Sequence, residues 1–169
     1  MTLTMYEMTI PTMLRGFGAL SGYLERAEKF VRVSGLEASD LIQARLAPDM
    51  LTFAGQIQRA SDKAKRGVAK LAGIESPSFP DDESTFEELD ARIAKTVVFL
   101  RSVDAKLFDG SESRSVEFPS LAGMYRGDEY LRSILLPDFF FHVATAHGIL
   151  RHRGVPIGKV DYLGGRVAA

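Results

Sequence analysis

The chain of 169 residues contains no cysteine and no tryptophan. Without a thiol it can form no disulfide, offer no thiolate to a metal and present no cysteine nucleophile, so thiol chemistry would need a thiol brought by a ligand. This composition fits a reducing compartment. An excess of one charge is also missing, because 21 basic side chains face 22 acidic ones for a net charge of -1. The long-range field that draws proteins to phosphate backbones or anionic lipid is therefore absent, and neither nucleic acid nor membrane is expected as a partner. The longest apolar run, around Phe139 to Phe141, is bounded by Asp138 and His142 and falls far short of the roughly 20 residues of a membrane-spanning helix. Met1 to Ile10 has no basic leader and no long apolar stretch, and Glu7 interrupts it. A cytoplasmic location is the expectation.

What the chain does contain is the balance of an ordinary globular protein, with 46% hydrophobic and 25% charged residues, and a length that fits one domain over residues 1–169. Residues 165–169 are expected to form a disordered tail. Apolar residues recur as Met13, Phe17, Leu20, Leu24, Ala27 and Val31, the stripe of a helix that Pro11 opens and Gly35 closes. Ala38 to Ala44 provides a turn or two, and Pro48 predicts a second long helix with Met50, Phe53, Ile57, Ser61, Ala64, Val68 and Leu71 on one side and Gly73 at its end. Residues 74–83, rich in proline and aspartate, read as a loop. Ser84 and Glu87 have the spacing of a capping box, which starts a third helix. Its stripe is Phe86, Leu89, Ile93, Val97, Leu100 and Val103, leaving Asp90, Arg92, Lys95 and Arg101 for solvent. Ser115 to Phe118 alternates with period two and predicts a small β-hairpin. Asp128 is suited to cap a short helix over Tyr130 to Leu136, and Pro137 kinks it or opens the last long helix, which runs to about Arg153. Four amphipathic helices bury their stripes best against one another, so the expected fold is an all-α four-helix bundle with a small hairpin before the last helix.

The three histidines, His142, His147 and His152, share that last helix, which raises a metal site as the first functional idea. Steps of five residues turn successive side chains by about 140° and set His142 and His152 about 15 Å apart along the axis, so the three cannot grip one ion. A helix holds a metal between histidines at i and i+4, and the position four residues after His142 is Ala146. No metal and no cofactor is expected. His142 shares a face with Phe139, Val143, Ala146 and Ile149, and reads either as a satisfied core or pocket histidine or as a proton-exchanging residue. His147 and His152 read as surface or helix-end residues.

Three stretches together resemble a known family: Arg45-Leu46-Ala47-Pro48-Asp49-Met50, then Leu136-Pro137-Asp138-Phe139-Phe140-Phe141-His142, and the tail Gly154-Val155-Pro156-Ile157-Gly158-Lys159 with Asp161-Tyr162-Leu163-Gly164. They resemble the bacterial domain of unknown function 1993, in the DinB-like group of four-helix bundles, over about Met5 to Gly164. The resemblance implies that bundle and a tendency to dimerise. Many members are metalloenzymes that hold a divalent ion with one histidine on the second helix and an i, i+4 pair on the last. His142 matches the first of that pair, Ala146 replaces the second, and helix two offers only Gln56 or Gln58, neutral amides that bind transition metals poorly.

Arg45, Asp49 and His142 are candidates to converge on an anionic ligand, with Gln56 beside them, although Asp49 in a first helical turn paired with Arg45 is also an ordinary structural arrangement. Asp138 reads first as a helix cap. Tyr6 and Tyr162 could line a cleft with their phenols or simply pack. Gly16, Gly18 and Gly22 in helix one point to the close approach of a neighbour, within the chain or from a second subunit. Lys63, Lys65, Arg66 and Lys70 beside Asp62 read as a solvated flank. The expectation is therefore a homodimeric, small-molecule-binding or stress-associated bundle without its metal triad. The alternative is a thiol-dependent transferase or isomerase using His142.

Overall fold

The computed structural model describes residues 3–121 and 123–164, so the tail expected at 165–169 lies outside the described residues. Four long helices carry the fold: α1 (Met5–Ser34), α3 (Phe53–Ala72), α4 (Phe86–Ser102) and α6 (Leu136–His152). Shorter pieces join them, namely α2 (Ala38–Ile42), α5 (Gly127–Tyr130) and α7 (Lys159–Tyr162). Strands β1 (Ser115–Phe118) and β2 (Gly123–Arg126) pair antiparallel, Ser115 opposite Arg126 and Phe118 opposite Gly123, which is the predicted hairpin. Each of α1 and α3 packs mainly against α4 and α6, so α1 and α3 occupy opposite corners of the bundle, as do α4 and α6. The predicted stripes meet inside it. Phe17, Leu20, Phe53, Ile57, Leu89, Leu100, Phe139 and Ile149 are all fully buried.

The helix ends differ from expectation in instructive ways. α1 begins at Met5, six residues before Pro11, because Thr4 and Glu7 form a capping box and Met5, Thr9 and Ile10 are buried. Pro11 then sits inside the helix, where it costs one backbone hydrogen bond that the cap and the core contacts outweigh. α3 begins at Phe53, capped by the Thr52 hydroxyl accepting from the Gly55 N–H at 3.0 Å. Pro48 and Asp49 lie in a preceding turn, so Asp49 is not in a first helical turn. The capping box of α4 is Thr85 with Glu88, one residue later than predicted, and Ser84 adds its own bonds to the Glu88 carboxylate.

Asp128 does not cap a separate helix. Residues 127–152 form one continuous helix interrupted by a π turn at Leu131–Leu135. This wide turn comes just before Pro137, which has no N–H to donate and whose ring would crowd the carbonyl four residues back. The composite helix, 26 residues long, is long and apolar enough by composition to cross a membrane, which no single run of the sequence suggested. Half of its most apolar window is buried inside the bundle.

Glycines mark the tightest contacts. A Cβ at Gly16 would collide with the Phe139 ring and one at Gly67 with Leu135, so these positions let α6 come close to α1 and the π turn ahead of it close to α3. Gly18 and Gly22, in contrast, face open space.

The loop 74–83 covers a charged junction that the helix patterns had assigned to solvent. Arg92 is 1% exposed and Lys65 1%, both on the buried sides of their helices. Arg92 donates to Asp62 at 3.0 Å, Glu83 at 3.0 Å and the Pro80 carbonyl at 2.7 Å, and pairs with Asp81 at 2.9 Å. Lys65 pairs with Asp62 at 3.2 Å, donates to the Pro77 carbonyl at 3.1 Å and stands 3.8 Å above the Phe79 ring. Burial lowers the pKa of the Lys65 ammonium despite its bond to Asp62. Of the expected solvated flank, Arg66 and Lys70 are indeed exposed, whereas Lys65 and Asp62 belong to a buried latch joining α3, α4 and the loop, and Lys63 turns toward α6.

Candidate functional site

The antiparallel contact of α3 with α6 sets Gln56 against His142 and Lys63 against Asp138. Both pairs sit near the start of α6, where the π turn and Pro137 fix the direction in which the helix sets out. Gln56 is 2% exposed and His142 7% exposed. The Gln56 amide nitrogen donates to the Leu51 carbonyl at 3.3 Å, which turns its oxygen toward the histidine. The His142 Nδ1–H then donates to that oxygen at 2.7 Å.

The opposite nitrogen, Nε2, lies 3.4 Å from Asp138 Oδ1, one helical turn earlier on α6. The second Asp138 oxygen accepts from the Lys63 ammonium at 2.8 Å. Partial burial works against the Asp138 charge, but the hydrogen bonds and charges of His142 and Lys63 outweigh it and hold the carboxyl below its ordinary value. Lys63 is further fixed by the Phe118 ring of the hairpin, 5.6 Å away. A chain of polar groups therefore runs from the half-exposed Lys63 through Asp138 and His142 to Gln56 and the Leu51 carbonyl. Phe141, 55% exposed, has its ring 5.3 Å from the imidazole.

The remaining candidates stand apart from this group. Arg45 is exposed and donates to the Met50 carbonyl, not to Asp49, because both lie in the irregular stretch ahead of α3 rather than on one helix. Asp49 is exposed, and among the described residues no hydrogen bond or ion pair links Arg45 or Asp49 to His142. Tyr6 packs edge-on against Phe108 at 5.6 Å and lines a cavity of about 630 Å³. Tyr162 packs against Phe140 and His147 on the α7 side. Asp138 lies within the first turn of α6 and turns its carboxylate to Lys63 and His142, not to the backbone as a cap. His147 is half-buried, its Nε2–H donating to the Gly158 carbonyl at 3.1 Å, and His152 is exposed at the helix end.

Lys63 was missed because it stands among lysines that look solvated. The i, i+4 pair was present in the sequence, but it runs backward from His142 to Asp138 rather than forward to Ala146, which is fully buried in the core. Larger cavities of about 560, 630 and 590 Å³ lie elsewhere on the surface, and His142 lines none of them.

With this geometry in view, a family model matches residues 5–163. The chain belongs to the family described as Domain of unknown function (DUF1993). No curated protein matches this DUF1993 chain. It is similar to the crystal structure of a DinB family member protein from Shewanella denitrificans, with 32% identity, 97% of this chain and 94% of that chain covered, and a TM-score of 0.91. The fold of this DUF1993 chain is the DinB-like helical bundle.

The divalent ion that the sequence resemblance implies does not suit the residues present. Gln56 and Asp138 approach opposite nitrogens of His142, so the three cannot converge on one point. Among the described residues no group of three or more histidine, aspartate or glutamate side chains is placed to hold an ion. Catalytic metal sites commonly need three protein donors, and here a lysine cation already stands against the only carboxylate.

Proposed function

We propose that this chain is a homodimeric DinB-like bundle that binds a small carboxylate-bearing molecule at the Asp138–His142 pair without a metal, in the cytoplasm. A stress-associated role is carried over with the DinB likeness. The supporting observation is the placement of His142: both nitrogens face oxygen acceptors, Gln56 holds the ring firmly at 2.7 Å, and Asp138 holds it loosely at 3.4 Å. The second distance is long for a charge-assisted hydrogen bond. A ligand carboxylate can therefore compete with Asp138 for Lys63 and for the Nε2 edge of the ring, and the exposed Phe141 and Leu51 offer apolar surface next to His142 and Gln56.

Thermal shifts with a panel of small carboxylates, thiols and divalent ions test this reading. A carboxylate at 100 times its dissociation constant adds about 2.7 kcal/mol to stability. It should raise the melting temperature of wild type and leave His142→Ala unmoved. A panel that shifts neither protein removes the proposal.

One observation favours the alternative of a thiol-dependent transferase or isomerase. An imidazole held at Nδ1 by the Gln56 oxygen has its Nε2 directed to take a proton from a thiol or hydroxyl that displaces Asp138. In the same panel, a shift by low-molecular-weight thiols and none by carboxylates selects that alternative.

The homodimer is supported by the α1–α4 face. Its open glycines, Gly18 and Gly22, lie between an acidic end with Glu25, Glu28, Glu87 and Asp90 and a basic end with Arg15 and Arg101. Such a face is complementary to itself when turned about a two-fold axis.

A further inference from the structure

Asp138 and His142 supply two donors of the kind a divalent ion uses, and the charge beside them is a lysine. Two donors on one first-row ion, each bonded at about 2.1 Å in tetrahedral geometry, stand about 3.4 Å apart. The separation of Asp138 Oδ1 and His142 Nε2 is 3.4 Å. The hydrogen bond from Nδ1–H to Gln56 at 2.7 Å is the outer contact that aims the opposite nitrogen of a ligating histidine. An ion between these two donors would share the Asp138 carboxylate with the Lys63 ammonium, which stands 2.8 Å from its other oxygen and is propped by the Phe118 ring. Like charges that close repel strongly in a partly buried site.

We propose that the Lys63 ammonium is the built-in cation of this site, supplying to Asp138 the positive charge a divalent ion would bring, and that removing its charge converts Asp138 and His142 into a weak divalent-metal site. This inference rests on the metal-free reading above and explains it by a covalently attached charge. The carboxylate and imidazole keep a positive neighbour at all times, and the protein needs no metal to keep the pair in register. Lys63 is a positioning residue in this scheme, since it acts on His142 through Asp138.

Cobalt(II) is the probe, followed by calorimetry and by its visible absorption. Lys63→Met keeps most of the side-chain length and the contact with Phe118 while removing the charge. Wild type should bind Co²⁺ no more tightly than His142→Ala. Lys63→Met should bind at least tenfold more tightly than wild type, and the gain should vanish in the Lys63→Met, His142→Ala double variant. Lys63→His, which adds a third donor, should bind more tightly still with intense tetrahedral bands, and serves as the deciding variant if Lys63→Met does not fold. Wild type that binds Co²⁺ through His142 as tightly as Lys63→Met overturns both this inference and the metal-free reading. If wild type and both Lys63 variants bind no better than His142→Ala, this inference alone fails.

Discussion

Asp138 is opposed by its own burial and sustained by two cations, and the balance leaves its pKa below the ordinary aspartate value of 3.8. The sign of the consequence follows from linkage. A carboxyl more acidic in the folded than in the unfolded chain adds stability that is fully present above the unfolded value and is lost as pH falls through the folded one. Wild type should therefore lose stability to acid below about pH 4, partly through this residue. Asp138→Asn removes that part, so urea midpoints of the two proteins, well separated at neutral pH, should converge as the pH is lowered through this range. Curves that stay parallel would show that Asp138 gains nothing from Lys63 and His142. The same residue shows why the site was only half legible from sequence. Gln56 and His142 were recognisable by type and helix position, but Asp138 beside a proline looked like a cap, and Lys63 had no distinguishing mark until α6 was laid against α3.

At the scale of elements, the apolar stripes of α1, α3, α4 and α6 could be read from periodicity because burial of nonpolar surface dominates each helix face. Helix starts were read less well. At Pro11, Pro48 and Ser84 a strong local signal competed with a hydroxyl cap a few residues away, and tertiary burial decided in favour of Thr4, Thr52 and Thr85. Periodicity failed altogether at Arg92, which occupies a core position between Leu89 and Thr96 as a charged residue. No pattern of apolar residues can announce a buried arginine whose partners, Asp62, Asp81 and Glu83, come from another helix and a loop. Removing Arg92 strips Glu83 and Asp81 of their cation, while Asp62 keeps Lys65. Arg92→Met should therefore cost about 3–5 kcal/mol in chemical denaturation. It should also raise proteolysis within the loop 74–83, whose Pro77 and Pro80 carbonyls are tied to Lys65 and Arg92. A loss under 1 kcal/mol would mean that the latch merely breaks even against solvation.

For the molecule as a whole, the surface proposed for a second copy is the α1–α4 face rather than the tight glycine contacts inside the bundle. Gly16 is used up by Phe139, whereas Gly18 and Gly22 have nothing against them. The charges beside them differ along the groove: Arg15 and Arg101 lie at one end, with Asp161 paired to Arg26, and Glu87 and Asp90 at the other. A second copy placed antiparallel brings each basic end onto an acidic one, while a parallel copy sets like charges together, so the pattern selects the isologous arrangement. Arg101→Glu should then break the dimer, and light scattering at micromolar concentration should fall to the monomer mass. Adding Asp90→Lys to that variant restores opposite charges across the two-fold and should recover the dimer mass, with both proteins keeping the wild-type circular dichroism. Because these side chains are exposed, the wild-type association should also weaken as ionic strength rises from 0.05 to about 0.5 M, where the screening length falls below the separation of unpaired surface charges. A monomer mass for wild type at low salt, or a dimer indifferent to Arg101→Glu, would move any partner to a different face of the bundle.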